Sequence, residues 1–396
     1  FPTRHRPAQE QTVPVPLSIL DLSPFGTGQT PADGLRASVR LAQRAEALGY
    51  ARYWLAEHHL NPGISGALPH VLLPLIAQAT DRIRVGTAAT IIGNYSPLHV
   101  AESAGLLAAL FPGRVDLGIG RSGSTSAAQT PHSFAALTEG AKEDVTVDGL
   151  LIPAAPDFTL DLQRFAVQAR LLRRTPGDAD HFEQDVLDII ALITGDYVAP
   201  EGVPIHATPA EGTDVDVWIH GSTAGASAAL AGRLGLPFGA NYHVAPTFVR
   251  EAVGAYRDAF RPGRLAEPRV IVSVDVLVAD SEAEATRLAE GYAHWVHSIR
   301  AGQGAIVYPT PDEASAQPLD AAALAVVRDR LATRFVGTPE QVAEQLEALQ
   351  RVTGADELLI TTITHDPRDR ERSVELLAET WGLAGAPTPA TVGAHA

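Results

Sequence analysis

Cysteine is missing from all 396 positions, which excludes disulfides, thiolate metal centres and cysteine nucleophiles. Positive charge is scarce. Against 46 Asp and Glu stand 30 Lys and Arg, a net charge of −16, and binding to nucleic acid requires clustered cations that displace counterions. Nucleic acid is therefore not an expected partner; Arg170, Arg173 and Arg174 make a patch, not a groove. No apolar run reaches the roughly 18 residues that span a bilayer, and residues 1–16 are polar and proline-rich rather than signal-like. The expectation is a cytoplasmic protein with no membrane partner. Although 14 histidines are present, none falls in His-x-His spacing, so no metal site is expected.

The chain does carry 45% hydrophobic residues, enough to bury the core of one large barrel or of two to three ordinary domains. Near-continuous apolar segments read as strands at 17–22, 53–59, 83–92, 114–120, 215–220, 236–243, 270–278 and 357–362. Helical spacing follows most of them. The first helix takes Thr30 as cap and Pro31 at its first position, carries Leu35, Val39, Ala42, Ala45 and Leu48 on one face, and stops at Gly49. Further helices are expected at 68–79, 99–111, 181–194, 221–234, 246–260, 282–300, 320–334 and 368–381, with another opened by Thr338 and Gln341 as a capping box. Eight strands in this alternation predict a (β/α)8 barrel with insertions after strands 4 and 7. A single domain over 17–383 is expected, with an N-terminal extension at 1–16, a lid-bearing insertion at 121–180 and a disordered tail at 384–396. Within the insertion 148–159 reads as irregular, and 302–318 as a loop rich in Gly and Pro.

Several strand ends carry chemistry. The second stops on Glu57, His58 and His59; successive residues face opposite sides, so the two imidazoles cannot serve one ligand while the strand persists. Gly118-Ile-Gly-Arg-Ser-Gly123 has the letters of a dinucleotide fingerprint, but no apolar helical pattern follows it. The rival reading is close approach of a ligand to the glycines, with Arg121 as a cation. Gly221-Ser-Thr-Ala-Gly-Ala-Ser227 joins a strand to a helix, where backbone N–H groups and the hydroxyls of Ser222, Thr223 and Ser227 can meet an anion. Its alternative is ordinary helix capping by Ser222 or Thr223. Gly239-Ala-Asn-Tyr-His243 ends the sixth strand in polar groups that include Asn241. Polar or glycine ends on strands two to six are what a site at one barrel mouth requires.

Taken together, Tyr53-Trp-Leu-Ala-Glu-His-His59, Arg84-Val-Gly-Thr-Ala-Ala89, Pro112-Gly-Arg-Val-Asp-Leu-Gly-Ile-Gly-Arg121 and Gly235-Leu-Pro-Phe-Gly-Ala-Asn241 resemble the bacterial luciferase-like flavin monooxygenase family, in order along the chain. The resemblance implies an oxidoreductase that binds reduced FMN, delivered by a separate flavin reductase, at the C-terminal mouth of the barrel; the alternatives are an F420-dependent hydride-transfer oxidoreductase on the same barrel and a flavin-binding relative without catalysis. It implies a peroxyflavin, formed with O2, that oxidises a small-molecule substrate, and a homodimer packed through helices 68–79 and 99–111. His58, with Glu57, would be catalytic. The cofactor would meet Arg121, Ser222, Thr223, Ser227 and Asn241, and a cis peptide at Ala88-Ala89 would lie beside its ring. Two departures stand out: the reactive cysteine of luciferase is Gly120 here, and the phosphate loop is one residue longer, leaving the assignment among Ser222, Thr223, Ala226 and Ser227 open.

Overall fold

The computed structural model describes residues 14–121, 140–158, 163–174, 181–383 and 385. Eight parallel strands close on themselves: β1 (Leu17–Asp21), β2 (Arg52–Leu55), β3 (Arg84–Thr87), β4 (Val115–Gly120), β5 (Asp216–Gly221), β6 (Phe238–Asn241), β7 (Val270–Val278) and β8 (Glu357–Thr361), with β8 pairing back onto β1. Helices α1 (Pro31–Leu48), α2 (Pro69–Gln78), α3 (Pro97–Leu110), α4 (Phe182–Thr194), α5 (Ala226–Arg233), α6 (Val249–Ala259), α7 (Pro339–Thr353) and α8 (Pro367–Trp381) follow the strands in turn. This is the expected (β/α)8 barrel. No described helix is long and apolar enough to cross a membrane.

Local chemistry fixes the ends. Thr30 caps α1 in a reciprocal box with Asp33, and Gly49 stops it in the left-handed conformation that a side chain resists. Thr338 and Gln341 do the same for the start of α7. Between strands and helices, Tyr53, Leu55, Val85, Leu117, Ile219 and their neighbours form the larger core. Each large apolar side chain buried there contributes about 1.5–3 kcal/mol.

Alternation turns a second set of side chains inward, where Leu20, Trp54, Trp218, Ile271 and Leu359 fill the barrel. Below them a buried ion network plugs the amino-terminal end. Arg52 reaches Asp116 at 2.7 Å and Glu357 at 3.0 Å, while Arg84 and the Trp54 indole also donate to Asp116.

The insertions differ in detail from the sequence reading. Residues 148–159 are not wholly irregular: Val145–Val147 and Leu150–Ile152 form a hairpin whose turn places Gly149 at φ 87°. A helix, Gln163–Leu171, follows. After β7, the predicted helix 282–300 is two, Glu282–Ala289 and Gly291–Arg300. The 302–318 loop ends in a helix, Pro311–Ala316, boxed by Thr310 and Glu313, a Thr-Pro-x-Glu signature hidden in a Gly/Pro-rich stretch. Ala321–Thr333 is followed by a short strand, Phe335–Gly337, that pairs in parallel beside the end of β7. β3 ends at Thr87, pairing resumes at Thr90–Ile91 against β4, and the Ala88-Ala89 peptide between them is cis.

Candidate active site at the carboxyl ends of the strands

Past β2 the alternation persists for three residues and sorts the ionisable cluster. Glu57 turns outward, where its buried carboxylate accepts from Ile91 N at 3.0 Å, Asn94 Nδ2 at 2.7 Å and His59 Nε2 at 2.9 Å. It therefore ties the segment after β3 to the end of β2. Sequence grouped Glu57 with His58, yet the two face opposite ways. His58 lies on the inward parity of Trp54 and Ala56, and its Nδ1 is buried without a hydrogen-bond partner. Burial drives its pKa down to about 4 in spite of the neighbouring Glu57, so the imidazole is neutral near pH 7.

A roof sits over this residue. Asn61 Oδ1 accepts from Ala305 N at 2.8 Å, Gly63 N donates to Ala305 O at 2.8 Å, and a Cβ at Gly63 would lie 1.9 Å from Ile306 O. Arg164, from the helix after the hairpin, donates to Leu60 O and Gly302 O. The 121–180 and β7 insertions thus meet above the second strand end.

The floor is aromatic. Trp54 and Trp218 pack edge to face at 5.1 Å, and the His220 ring stands on Trp54 at 5.5 Å. His220 has Gly120 and Gly239 as its register partners on the flanking strands. A Cβ at Gly239 would fall 2.3 Å from His220 Nδ1, and one at Gly118 would fall 2.8 Å from its Nε2. Gly118 and Gly120 lie within β4 and clear the barrel interior; Gly123, the last residue of the fingerprint, lies outside the described residues. His220 Nε2 also lacks a partner, and burial lowers this pKa to about 4. A third imidazole follows β6: His243 Nδ1 bonds Ser273 Oγ at 2.6 Å and is likewise held near 4 by burial. His220 and His243 are site candidates that sequence reasoning passed over, although the parity of Trp218 put His220 on the inner face.

The candidate anion loop sits on the ends of β4 and β5, with Arg121 following Gly120 and Ser222 following Gly221. Capping by Ser222 or Thr223 is not realised: the N-cap of α5 is Gly225, with no side-chain bond to the first turn. Ser222 Oγ instead accepts from Asn241 Nδ2 at 2.8 Å, and Asn241 Oδ1 accepts from Ser273 Oγ at 3.0 Å. Ser227, 9% exposed, lies in the first turn of α5 against Gly221, and the Thr223 hydroxyl lies near Gly225. His58, Ala88, Ala89, Arg121, Ser222, Thr223, Ser227 and Asn241 thus all reach one end of the barrel. Among the described residues no group of three or more His, Asp or Glu is arranged to hold a metal ion.

The sequence profile of the luciferase-like monooxygenases matches residues 15–143 and 182–357. The chain belongs to that family. A luciferase-like monooxygenase of Escherichia coli is 31% identical over 363 residues, 91% of this chain and 96% of that one. The crystal structure of apo-MsnO8 is 32% identical, with a TM-score of 0.75 over 94% of this chain and all of that one. At lower identity the luciferase-like barrel is shared with two ligand-bound structures. One is the FMN complex of the oxygenating constituent of 3,6-diketocamphane monooxygenase from Pseudomonas putida, 17% identical, TM-score 0.61, covering 92% of this chain and 97% of that one. The other is an F420-dependent secondary alcohol dehydrogenase with an F420-acetone adduct, 16% identical, TM-score 0.58, covering 93% and 98%.

Proposed function

We propose that this luciferase-like protein is a monooxygenase that uses reduced FMN and O2 to oxygenate a small organic substrate at the barrel mouth. The observation that carries the reading is the pair of buried, neutral imidazoles, His58 and His220, whose partnerless nitrogens lie beside Trp54, Trp218, Ala56 and glycine on the β2 to β5 side of the mouth. Such a site is dry and holds proton acceptors of modest basicity. The residues fit a flavin. Glycine at 120 leaves the wall beside Ala89 flat, since a Cβ there would lie 3.0 Å from Ala89 Cβ. The uncapped first turn of α5, with Arg121, Ser222, Thr223 and Ser227, suits a phosphate. When bound, the reduced flavin supplies the oxygen chemistry. The chain binds the phosphate, orients the ring against Ala88-Ala89 with Asn241 bracing Ser222, excludes water with the tryptophan floor, and holds or moves a proton at His58 Nδ1. Glu57 is a positioning residue that anchors the segment carrying Ala88 and Ala89. In this reading a separate flavin reductase supplies the reducing equivalents.

Supplying FMNH2 and 18O2 with aldehydes, sulfonates and aromatics tests the reading. One labelled oxygen atom in the product is expected; oxidation of FMNH2 with no labelled product from any class would overturn it. Arg121→Met is expected to weaken FMN binding by about tenfold or more, as loss of a charge-assisted bond does.

F420-dependent hydride transfer is the second reading, favoured by the likeness to the F420 dehydrogenase. Its polyanionic tail calls for cations, and Arg170 and Arg173 are exposed at the end of the helix after the hairpin. Parallel titration with FMN and F420 separates the two. The proposed assembly is a homodimer through α2 and α3, whose outer faces expose Val71, Leu75, Leu106 and Leu110.

A further inference from the structure

Opposite the candidate phosphate loop, the β7 and β8 sector of the mouth carries a cationic cluster that the proposed function leaves unused. Asp275 faces inward from β7, on the parity of Ile271. Its carboxylate accepts from Arg330 Nη2 at 2.9 Å and from the Tyr292 hydroxyl. Arg330 also donates to Tyr292 Oη at 2.8 Å, so this carboxylate is matched to Arg330. One helical turn on, Arg334 is 7% exposed and stacks its guanidinium on the Tyr292 ring, Cζ 4.1 Å from the centroid. It gives Nη2 to Ile363 O at 3.0 Å. Its Nε and Nη1 are buried without a partner, and among the described residues no carboxylate lies within 4.0 Å of it. The buried Tyr308 hydroxyl faces Arg334 without a partner at full hydrogen-bond geometry, and Thr361 Oγ1, which shares a register position with Asp275, is also buried and partnerless.

A buried guanidinium with idle donors is costly when its nearest counter-charge, the Asp275 carboxylate, is already bonded to Arg330 and Tyr292, because desolvation is then only partly offset. Stacking on Tyr292 accounts for the face of the guanidinium and not for its free N–H groups. Those groups, with the Tyr308 and Thr361 hydroxyls, make a donor set for an oxyanion. Asp275 on β7 and Thr361 on β8 stand two and three strands from β5, which leads into Ser222, so this donor set is separate from the candidate phosphate loop.

We propose that Arg334 and Tyr308 form a subsite for the anionic head group of the substrate, a carboxylate or sulfonate, which fixes its reactive end towards His58; the assignment to substrate rests on the oxygenase reading above. Calorimetric titration of the flavin-free full chain with butyrate, methanesulfonate and the neutral isostere butyramide tests it. Butyrate and methanesulfonate are expected to bind saturably, butyramide not. Arg334→Gln is expected to weaken butyrate by about tenfold or more, and Tyr308→Phe by several-fold, with FMN affinity unchanged in both. Should Arg334→Gln fail to fold, Tyr308→Phe and Thr361→Val decide. Equal binding of butyrate and butyramide, unaltered butyrate binding in the variants, or displacement of butyrate by FMN would overturn the subsite. Labelled-oxygen turnover is read separately: oxygenation without anion discrimination removes the subsite alone, and anion binding without oxygenation removes the oxygenase reading alone.

Discussion

Glu57 Oε1 and His59 Nε2 stand 2.9 Å apart on the outer side of the chain, while His58 between them points into the barrel with Nδ1 unpaired. Three adjacent ionisable residues therefore have two separable functions. Glu57→Ala strands the donors of Ile91, Asn94 and His59 and is expected to destabilise the fold by about 3 kcal/mol. His58→Ala is expected to change stability by no more than about 1 kcal/mol, to keep FMN binding within a few-fold, and to reduce turnover by about 10²–10⁴. Urea melts alongside flavin titration and turnover distinguish the two variants; full turnover in His58→Ala would remove it from the chemistry.

The three inward imidazoles make stability depend on pH in one direction. His58, His220 and His243 fall from an ordinary 6.5 to about 4 because burial disfavours the charged ring. Between pH 6.5 and 4 the unfolded chain then binds more protons than the folded one. Stability should fall as pH drops through that window and be insensitive to these groups above it. The difference corresponds to roughly 3 kcal/mol for one imidazole at the acid limit. Urea midpoints at pH 7.5, 6 and 5 measure the slope, and His220→Phe should flatten it; a slope unaltered by that substitution would place the ring in water.

The glycines around His220 predict a compensating pair. Gly239→Ala puts a methyl 2.3 Å from His220 Nδ1 and should cost about 1–3 kcal/mol through overpacking. In the His220→Ala background the obstructing ring is gone, so the same substitution should cost much less, with a coupling of about 1 kcal/mol or more. A double-mutant cycle by chemical denaturation reads this directly, and strictly additive costs would show that the ring does not occupy that space.

What was legible in the chain follows from which signals are local. Helix caps such as Thr30 with Asp33 and Thr338 with Gln341 are written within four residues, and the apolar rhythm of β1 to β8 survives because parallel strands are buried on both faces. The parity of His58 against Glu57 and His59 was also readable, since two-residue alternation is a property of the strand itself. The partner of Glu57 was not, because Asn94 lies 37 residues on and is delivered by the barrel closure. For the same reason the fingerprint letters at Gly118 and Gly120 did not disclose what the glycines make room for: Gly118 clears Thr87 O and the His220 ring, a hundred residues later, and Gly120 clears Ala89 and Ile91. Arg334 gave no signal at all, since an idle buried guanidinium is defined by what the fold brings near it.

The outer faces of α2 and α3 predict self-association. Val71, Leu75, Leu106 and Leu110 are each at least half exposed, 68%, 60%, 50% and 65%, although they lie on helices whose other faces are buried. Four such side chains on the consecutive helices α2 and α3 present apolar surface of the kind that isologous dimers cover. At micromolar concentration, light scattering should give twice the 41.8 kDa chain mass. Leu75→Glu combined with Leu110→Glu should shift the protein to monomer, since two buried charges at a symmetric interface occur twice, while FMN affinity stays within a few-fold because the cofactor residues lie at the strand ends. A wild-type monomer at every concentration would remove this interface, and a dimer unaffected by the paired charges would place it on another face.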